Sequence, residues 1–281
     1  LTCFSKDRLL IFTNQGRVYG LKAWETPQGS RHSRGSHIRN LIEKLREDEK
    51  VVTILPISKE LQEDPEGHYL LFATRKGLIK KTSLGEYVRI NRNGKYALRF
   101  KMEGDQLVNV RVATDEHDVV MISSTGYASR FSCNRIRASG RVSGGVFGIK
   151  TGDRKNADGG HVVGMVATND NENQILTASK YGMGKRSRLG SSERIPDLDR
   201  EGVQKVDKEG TPRFTTDGYR RTNPGAKGVR TMKLNEENGD EIVCVHTIPN
   251  LGDQLFLLTG KGMMIRVLAD QTKETSGKAT K

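Results

Sequence analysis

Cysteine is scarce: Cys3, Cys133 and Cys244 are the only three in 281 residues, odd in number, far apart and never in a CxxC pair. That excludes a disulfide framework and a cysteine-built zinc site. No run of about 18 apolar residues occurs, as a membrane-spanning helix needs, and Leu1-Thr2-Cys3-Phe4 has neither an initiator methionine nor a signal-peptide pattern. The chain reads as a cytoplasmic fragment with no membrane partner. There is no GxxxxGK[ST], HExxH or GxSxG. His32 and His37 stand five apart, off a shared helical face. The stretch Asp153 to Asp158 before Gly159 puts Lys155 and Ala157 where calcium ligands would be needed. The reading is therefore no catalytic residue, no metal and no cofactor within this piece. Aromatic residues are few, 6% with one Trp, and Trp24, Tyr19, Tyr127 and Tyr219 are read as packing residues.

What the chain does have is positive charge. Lys and Arg number 47 against 34 Asp and Glu, a net charge of +13, which makes a polyanion the first partner to consider. Acidic residues such as Glu43, Glu47, Asp48 and Glu49 require the cations to be gathered on one surface for that to work. The apolar residues come in short bunches, Leu9-Leu10-Ile11-Phe12 for instance, which favours many short strands over helical stripes.

A repeat organises those bunches. Five times an apolar run is followed by a few polar residues, a Gly and a second run carrying basic residues: Asp7 to Lys22, Tyr69 to Thr82, Asp118 to Phe131, Gln174 to Ser187 and Asp253 to Val267. Each predicts a β-hairpin, with Gly16, Gly77, Gly126, Gly182 and Gly262 accepting the left-handed backbone at the end of a type I turn with a G1 bulge. The glycines are 61, 49, 56 and 80 residues apart, room for a four-stranded unit, and recurrence at this length predicts a propeller or related array.

After each hairpin comes a basic, Gly-rich element: Ser30 to Leu41, Arg89 to Phe100, Arg137 to Ile149, Tyr219 to Met232, and the start of another at Thr275 to Lys281. Strands over Glu49 to Ile57, Asp105 to Ala113, Gly160 to Thr168 and Asp240 to Ile248 are predicted to close the units. The fourth copy carries a charged insertion, 191–218, read as a surface excursion. A polyanion such as a nucleic acid presents regularly spaced phosphates, so recurrent cations on Gly-rich turns are the expected contacts. From the basic elements these are Arg31, Arg34, Arg39, Arg89, Arg92, Lys95, Arg135, Arg137, Arg141, Arg220, Arg221, Lys227 and Arg230; from the second hairpin strands, Lys80, Lys81, Arg130, Lys185, Arg186 and Arg188. Contacts to a phosphate backbone are expected, with no base readout.

The segments GRVYGLKAWETPQGSRHSRGSHIRNLI, GKYALRF, STGYASRFSCNRIRASGRVSGGVFGIK and GYRRTNPGAKGVRTMK, in order and in register with the hairpins, resemble the C-terminal domain of the A subunits of bacterial type IIA topoisomerases, those of DNA gyrase in particular. The resemblance covers essentially the whole chain. It implies an all-β fold, a β-pinwheel: a propeller-like disc of four-stranded blades that exchange strands, here incomplete at both ends. The expected blades are 1–57, 68–113, 117–168, 173–248 and a partial 252–281. It further implies a non-catalytic module that bends double-stranded DNA around a basic outer rim to direct ATP-dependent negative supercoiling. The catalytic Tyr, and the ATP and Mg used by the holoenzyme, would belong elsewhere in an A2B2 assembly with the B subunit. Alternatives are the topoisomerase IV version, or a propeller scaffold for an acidic protein. The gyrase box QRRGGRG is absent; Thr222 to Gly228 shares only Gly225, Lys227 and Gly228 with it, so the box is expected upstream of Leu1.

Overall fold

The computed structural model describes residues 2–30, 32–152, 159–199 and 201–275. Arg31 and the Asp153 to Asp158 stretch lie outside them. The chain forms two compact units, Leu1–His117 with Ser132–Gly148, and Asp118–Phe131 with Ile149–Lys281.

In the first unit, β1 (Arg8–Thr13) and β2 (Arg17–Lys22) form a hairpin, β3 (Val51–Ile57) pairs with β1, and the sheet order is β3-β1-β2-β6, where β6 is Lys95–Tyr96. The second sheet repeats the plan with β4 (Tyr69–Thr74), β5 (Leu78–Ser83), β7 (Leu107–Ala113) and β10 (Val146–Phe147). In the second unit, β8 (Asp118–Ser123), β9 (Tyr127–Ser132), β11 (Val162–Thr168) and β16 (Val229–Arg230) do the same. A three-stranded sheet joins β12 (Gln174–Ser179), β13 (Gly184–Arg188) and β17 (Ile242–Ile248), and β18 (Gln254–Leu258) pairs with β19 (Met264–Leu268). Inside the insertion, β14 (Arg194–Pro196) pairs with β15 (Phe214–Thr216).

The edge strands β6, β10 and β16 come from the basic element of the following repeat, so none of these sheets is completed by one contiguous stretch of sequence. Among the described residues the fourth sheet has no exchanged edge strand, but it has a bridge, Arg186 to Glu274, at the register of the bridges Lys81 to Ala138 and Arg130 to Arg221 in the second and third sheets. Close packing dictates glycine where the exchanged element crosses the hairpin. A Cβ on Gly228, at φ +81°, would lie 2.0 Å from the carbonyl oxygen of Ala128, well inside van der Waals contact, so a side chain there would push β16 off β9.

The hairpins turn as their sequences require. The amide of each turn glycine, as at Gly77, donates to the carbonyl three residues back, Thr74. That preceding residue is Ser or Thr in all five repeats: Thr13, Thr74, Ser123, Ser179 and Thr259. Four of these hydroxyls accept from the amide just after the glycine, a local side-chain bond that stabilises the turn. After β2, β5, β9 and β19 the chain makes a 3-10 turn, at Ala23–Glu25, Leu84–Glu86, Cys133–Arg135 and Ala269–Gln271. The insertion takes that place after β13. The polar stretch Ser58 to Gly67 holds a short helix, α1 (Lys59–Glu63), capped by the Ser58 hydroxyl.

The inner strands are apolar on both faces. In β1, Leu10 and Phe12 enter one core with Leu70, Phe72, Tyr87 and Val110, whereas Leu9 and Ile11 enter another with Tyr19, Leu21 and Ile42. Phe12 and Phe72 meet edge-on with ring centroids 5.6 Å apart. In the second unit the core gathers Val120, Ile122, Val166, Ile175, Tyr219 and Ile242. Burial on both faces explains the continuous apolar runs, which strict alternation would not produce.

Candidate nucleic-acid interface

The basic elements reach the surface where the exchanged strands form the sheet edges. Lys95 lies on β6 and Arg230 on β16, while Arg89, Arg92, Arg135, Arg137 and Arg220 are exposed in the segments around the exchanged strands, as is Arg34 in the first element. Arg39, Arg141, Lys227 and Arg230 are half-buried. Arg39 pairs with Glu47 at 3.8 Å, Arg92 with Glu25 at 3.0 Å, and Arg221 with Asp118 at 2.9 Å; exposed Arg188 pairs with Glu172. Among the described residues, Arg34, Arg89, Lys95, Arg137 and Arg220 make no ion pair. Lys227 and Arg230 both lie over the Tyr127 ring, 4.4 and 5.3 Å from its centroid.

Five of the six candidates on the second hairpin strands are not at the surface. Lys80, Lys81, Arg130, Lys185 and Arg186 are all buried, Lys80 to 1% exposure and Arg130 to 0%. Their reading as phosphate contacts is corrected: a side chain enclosed by protein cannot meet a phosphate, and only Arg188 of that set is exposed. A charge so placed must be paired and hydrogen-bonded, and the partners are specific. Arg130 donates from Nε to Asp118 at 2.8 Å and from Nη1 to the carbonyls of Leu189, Gly190 and Tyr219 at 2.7, 2.8 and 3.0 Å. Lys81 pairs with Asp115 and lies 4.0 Å from the centroid of the Tyr69 ring. Arg186 donates to the carbonyls of Thr272 and Asp270 at 2.9 and 3.2 Å.

Lys81, Arg130 and Arg186 all stand four residues after the turn glycine, and each fastens the backbone that leads toward the next basic element. In the first repeat that position is Gly20. The space beside it is taken by the carbonyl of Ile90 and by Arg8 from the neighbouring strand, whose Nη2 donates to that carbonyl. A recurrent cation thus serves as a staple between consecutive segments within each unit, with residue type and strand of origin exchanged in one copy.

Lys80 is held differently, donating to the carbonyls of Ala97, at 2.6 Å, and Arg141. Burial, reinforced by the Arg141 charge and opposed by Glu86, brings its ammonium down to about 7, and burial brings Lys185 down to about 8. An unfolded lysine keeps its proton to about 10.5. Above pH 7 the unfolded chain therefore binds a proton that folded Lys80 has released, so stability rises with pH toward 10.5 and is lost as pH falls through 7. Lys80→Met is expected to flatten the rise by up to about 1 kcal/mol per pH unit between roughly pH 7 and 9, measured from urea midpoints across that range.

Beside the third basic element a groove of about 460 Å³ is lined by Lys101, Arg137, Ser139, Ser143 and Gly144, with Lys80 and Lys81 buried beneath. Lys101 is exposed and donates to the Gly145 carbonyl at 2.6 Å. The sequence reading missed it because it falls one residue past the end of the second basic element, although it continues that element's run of alternating basic residues from Arg99. Among the described residues no group of His, Cys, Asp and Glu is arranged to hold a metal ion, and no helix is long and apolar enough to cross a membrane.

Against known proteins, the family described as DNA gyrase C-terminal domain, beta-propeller, matches residues 7–58, 68–114, 117–169, 213–248 and 253–279. The DNA gyrase A subunit of Staphylococcus epidermidis is 35% identical over 268 residues, 95% of this chain and 26% of that protein. The chain thus spans about a quarter of the length of that relative. Its fold is shared by the C-terminal domain of DNA topoisomerase IV, with a TM-score of 0.74 at 21% identity over 98% of this chain and 73% of the other. It is shared too by a DNA gyrase A C-terminal domain, with a TM-score of 0.69 at 20% identity over 98% and 76%. The match in sequence over most of the chain and in fold over nearly all of it makes this chain a member of the DNA gyrase C-terminal domain, beta-propeller family.

Proposed function

We propose that the chain is a DNA-binding and DNA-wrapping module of a gyrase-type type IIA topoisomerase, and that duplex DNA lies against the sheet edges supplied by the exchanged basic elements. The observation that carries this reading is the recurrence of an edge strand built from a basic, Gly-rich element in three sheets. Such edges offer Arg and Lys side chains together with close-approaching backbone amides, the groups that bind phosphates without reading sequence. The identity to a gyrase A protein over 95% of the chain favours the gyrase version over topoisomerase IV. On this reading the module itself needs no cofactor and performs no bond-breaking step. The reactive Tyr, ATP and Mg act in other parts of an A2B2 enzyme, built from the B subunit and the rest of the gyrase A polypeptide, in the cytoplasm and away from membranes.

The test is the salt dependence of duplex binding by a double variant, Arg89→Gln with Arg137→Gln, both exposed. Each lost phosphate contact should lower the slope of log affinity against log salt by about one unit, uniformly across DNA sequences. A slope equal to that of the wild type would remove these two residues from the interface.

A further inference from the structure

The edge strands carry something besides charge. Tyr96 on β6 and Phe147 on β10 are 54% and 52% exposed, although the residues that follow them, Ala97 and Gly148, are buried. The two aromatics occupy the same register. Tyr96 pairs with Arg17 and Phe147 with Leu78, in each case the residue immediately after the turn glycine.

Cations surround both. Lys95 precedes Tyr96, the Arg17 guanidinium lies 6.0 Å from its ring centroid, and Arg141 donates to its carbonyl at 3.3 Å. The strand that carries Phe147 borders the groove of Lys101 and Arg137. In the third sheet the same cross-strand pair is Tyr127 with Arg230. There the aromatic is on the other strand, only half exposed, and covered by Lys227 and Arg230. Exposed rings at this register are therefore a property of the first unit's two complete sheets.

We propose that Tyr96 and Phe147 are apolar wedges that press between base steps of the bound duplex, on its minor-groove side, while the neighbouring cations hold the phosphates. This rests on the DNA reading above. A rigid ring on an edge strand, flanked by phosphate-binding charge, has the composition of a side chain that partly unstacks a step and kinks the duplex, trading stacking for a bend that lets more phosphates reach the protein. The cations then set affinity and the rings set curvature, which makes the two roles separable.

The experiment uses the full chain and a linear duplex carrying a donor and an acceptor fluorophore at its two ends. Affinity is read from anisotropy, bending from energy transfer, and unstacking from permanganate oxidation of thymines. Tyr96→Ala with Phe147→Ala is expected to bind within about threefold of the wild type, because phosphate contacts dominate affinity. It should nevertheless lose most of the energy transfer and the permanganate-reactive thymines. Tyr96→Phe with Phe147→Tyr, which keeps both rings, should restore both signals.

Unchanged bending and unchanged thymine reactivity in the double alanine variant would overturn the wedge. So would a wild-type complex without reactive thymines, a measurement that needs no variant to fold. Failure of the wild-type chain to bind the duplex even at low salt is a different result: it removes the DNA reading itself, and the wedge with it.

Discussion

Raising salt from roughly 50 to 200 mM is expected to weaken duplex binding by about 10³- to 10⁵-fold, the loss that accompanies release of counterions from six to ten neutralised phosphates. The structure shows which cations are accessible for that role. Of the nineteen cations put forward from sequence, five are enclosed and Arg31 lies outside the described residues, leaving thirteen exposed or half-buried. Four of those, Arg39, Arg92, Arg188 and Arg221, already hold carboxylates and would have to exchange them for phosphate. Pairs between exposed groups, such as Arg188 with Glu172, are worth less than about 1 kcal/mol and some will exchange, whereas Arg221 is held by the buried carboxylate of Asp118. Thirteen candidates, four of them already paired, are enough to supply six to ten contacts. The measurement is a titration of binding constant against salt on duplexes of unrelated sequence. A constant that stays flat across that range would sink DNA wrapping and favour a scaffold for some other partner.

Arg130→Met is expected to cost about 3 to 5 kcal/mol of stability, the penalty of breaking a buried ion pair by removing one partner. Asp118 would keep only Arg221, at 2.9 Å from its side-chain oxygen. The carbonyls of Gly190 and Tyr219 would lose the guanidinium that now satisfies them, and the backbone at both feet of the insertion would come loose. Arg188→Gln, two residues beyond the staple at Arg186 but exposed and paired with Glu172, should cost no more than about 1 kcal/mol. Urea midpoints of the two variants give the comparison directly. Arg130→Met should also leave the salt slope of DNA binding unchanged wherever it remains folded. A reduced slope would return Arg130 to the interface and refute the staple.

The turns and hairpins were legible because they are local. A glycine preceded by Ser or Thr three residues back, between apolar runs, specifies a hairpin without reference to the rest of the chain. Strand exchange and the burial of cations were not legible from the repeats, since both depend on partners far away in sequence. Arg17 meets Tyr96, and Lys81 finds Asp115. Basic residues in a second hairpin strand look alike whether they face water or carbonyls. One sequence signal was available: Lys81, Arg130 and Arg186 recur four residues after the turn glycine, and in the structure Lys81 is enclosed beside the apolar strand β4. A Lys there has no route to solvent, and the recurrence of Arg at the same offset in two further repeats was a mark of structure as much as of binding.

Borrowing each sheet's edge from the next repeat also determines where the molecule can be divided. Excising residues 68–113 as one module would remove β4, β5 and β7, and would also strip β6 from the first sheet, leaving β2 with an open hydrogen-bonding edge prone to aggregation. A viable deletion or duplication has to be cut out of phase with the sheets, joining equivalent turn glycines such as Gly16 and Gly77. The heritable module of this architecture is therefore the segment between turns, and a genetic rearrangement in that frame hands every hairpin a new edge along with its new neighbour.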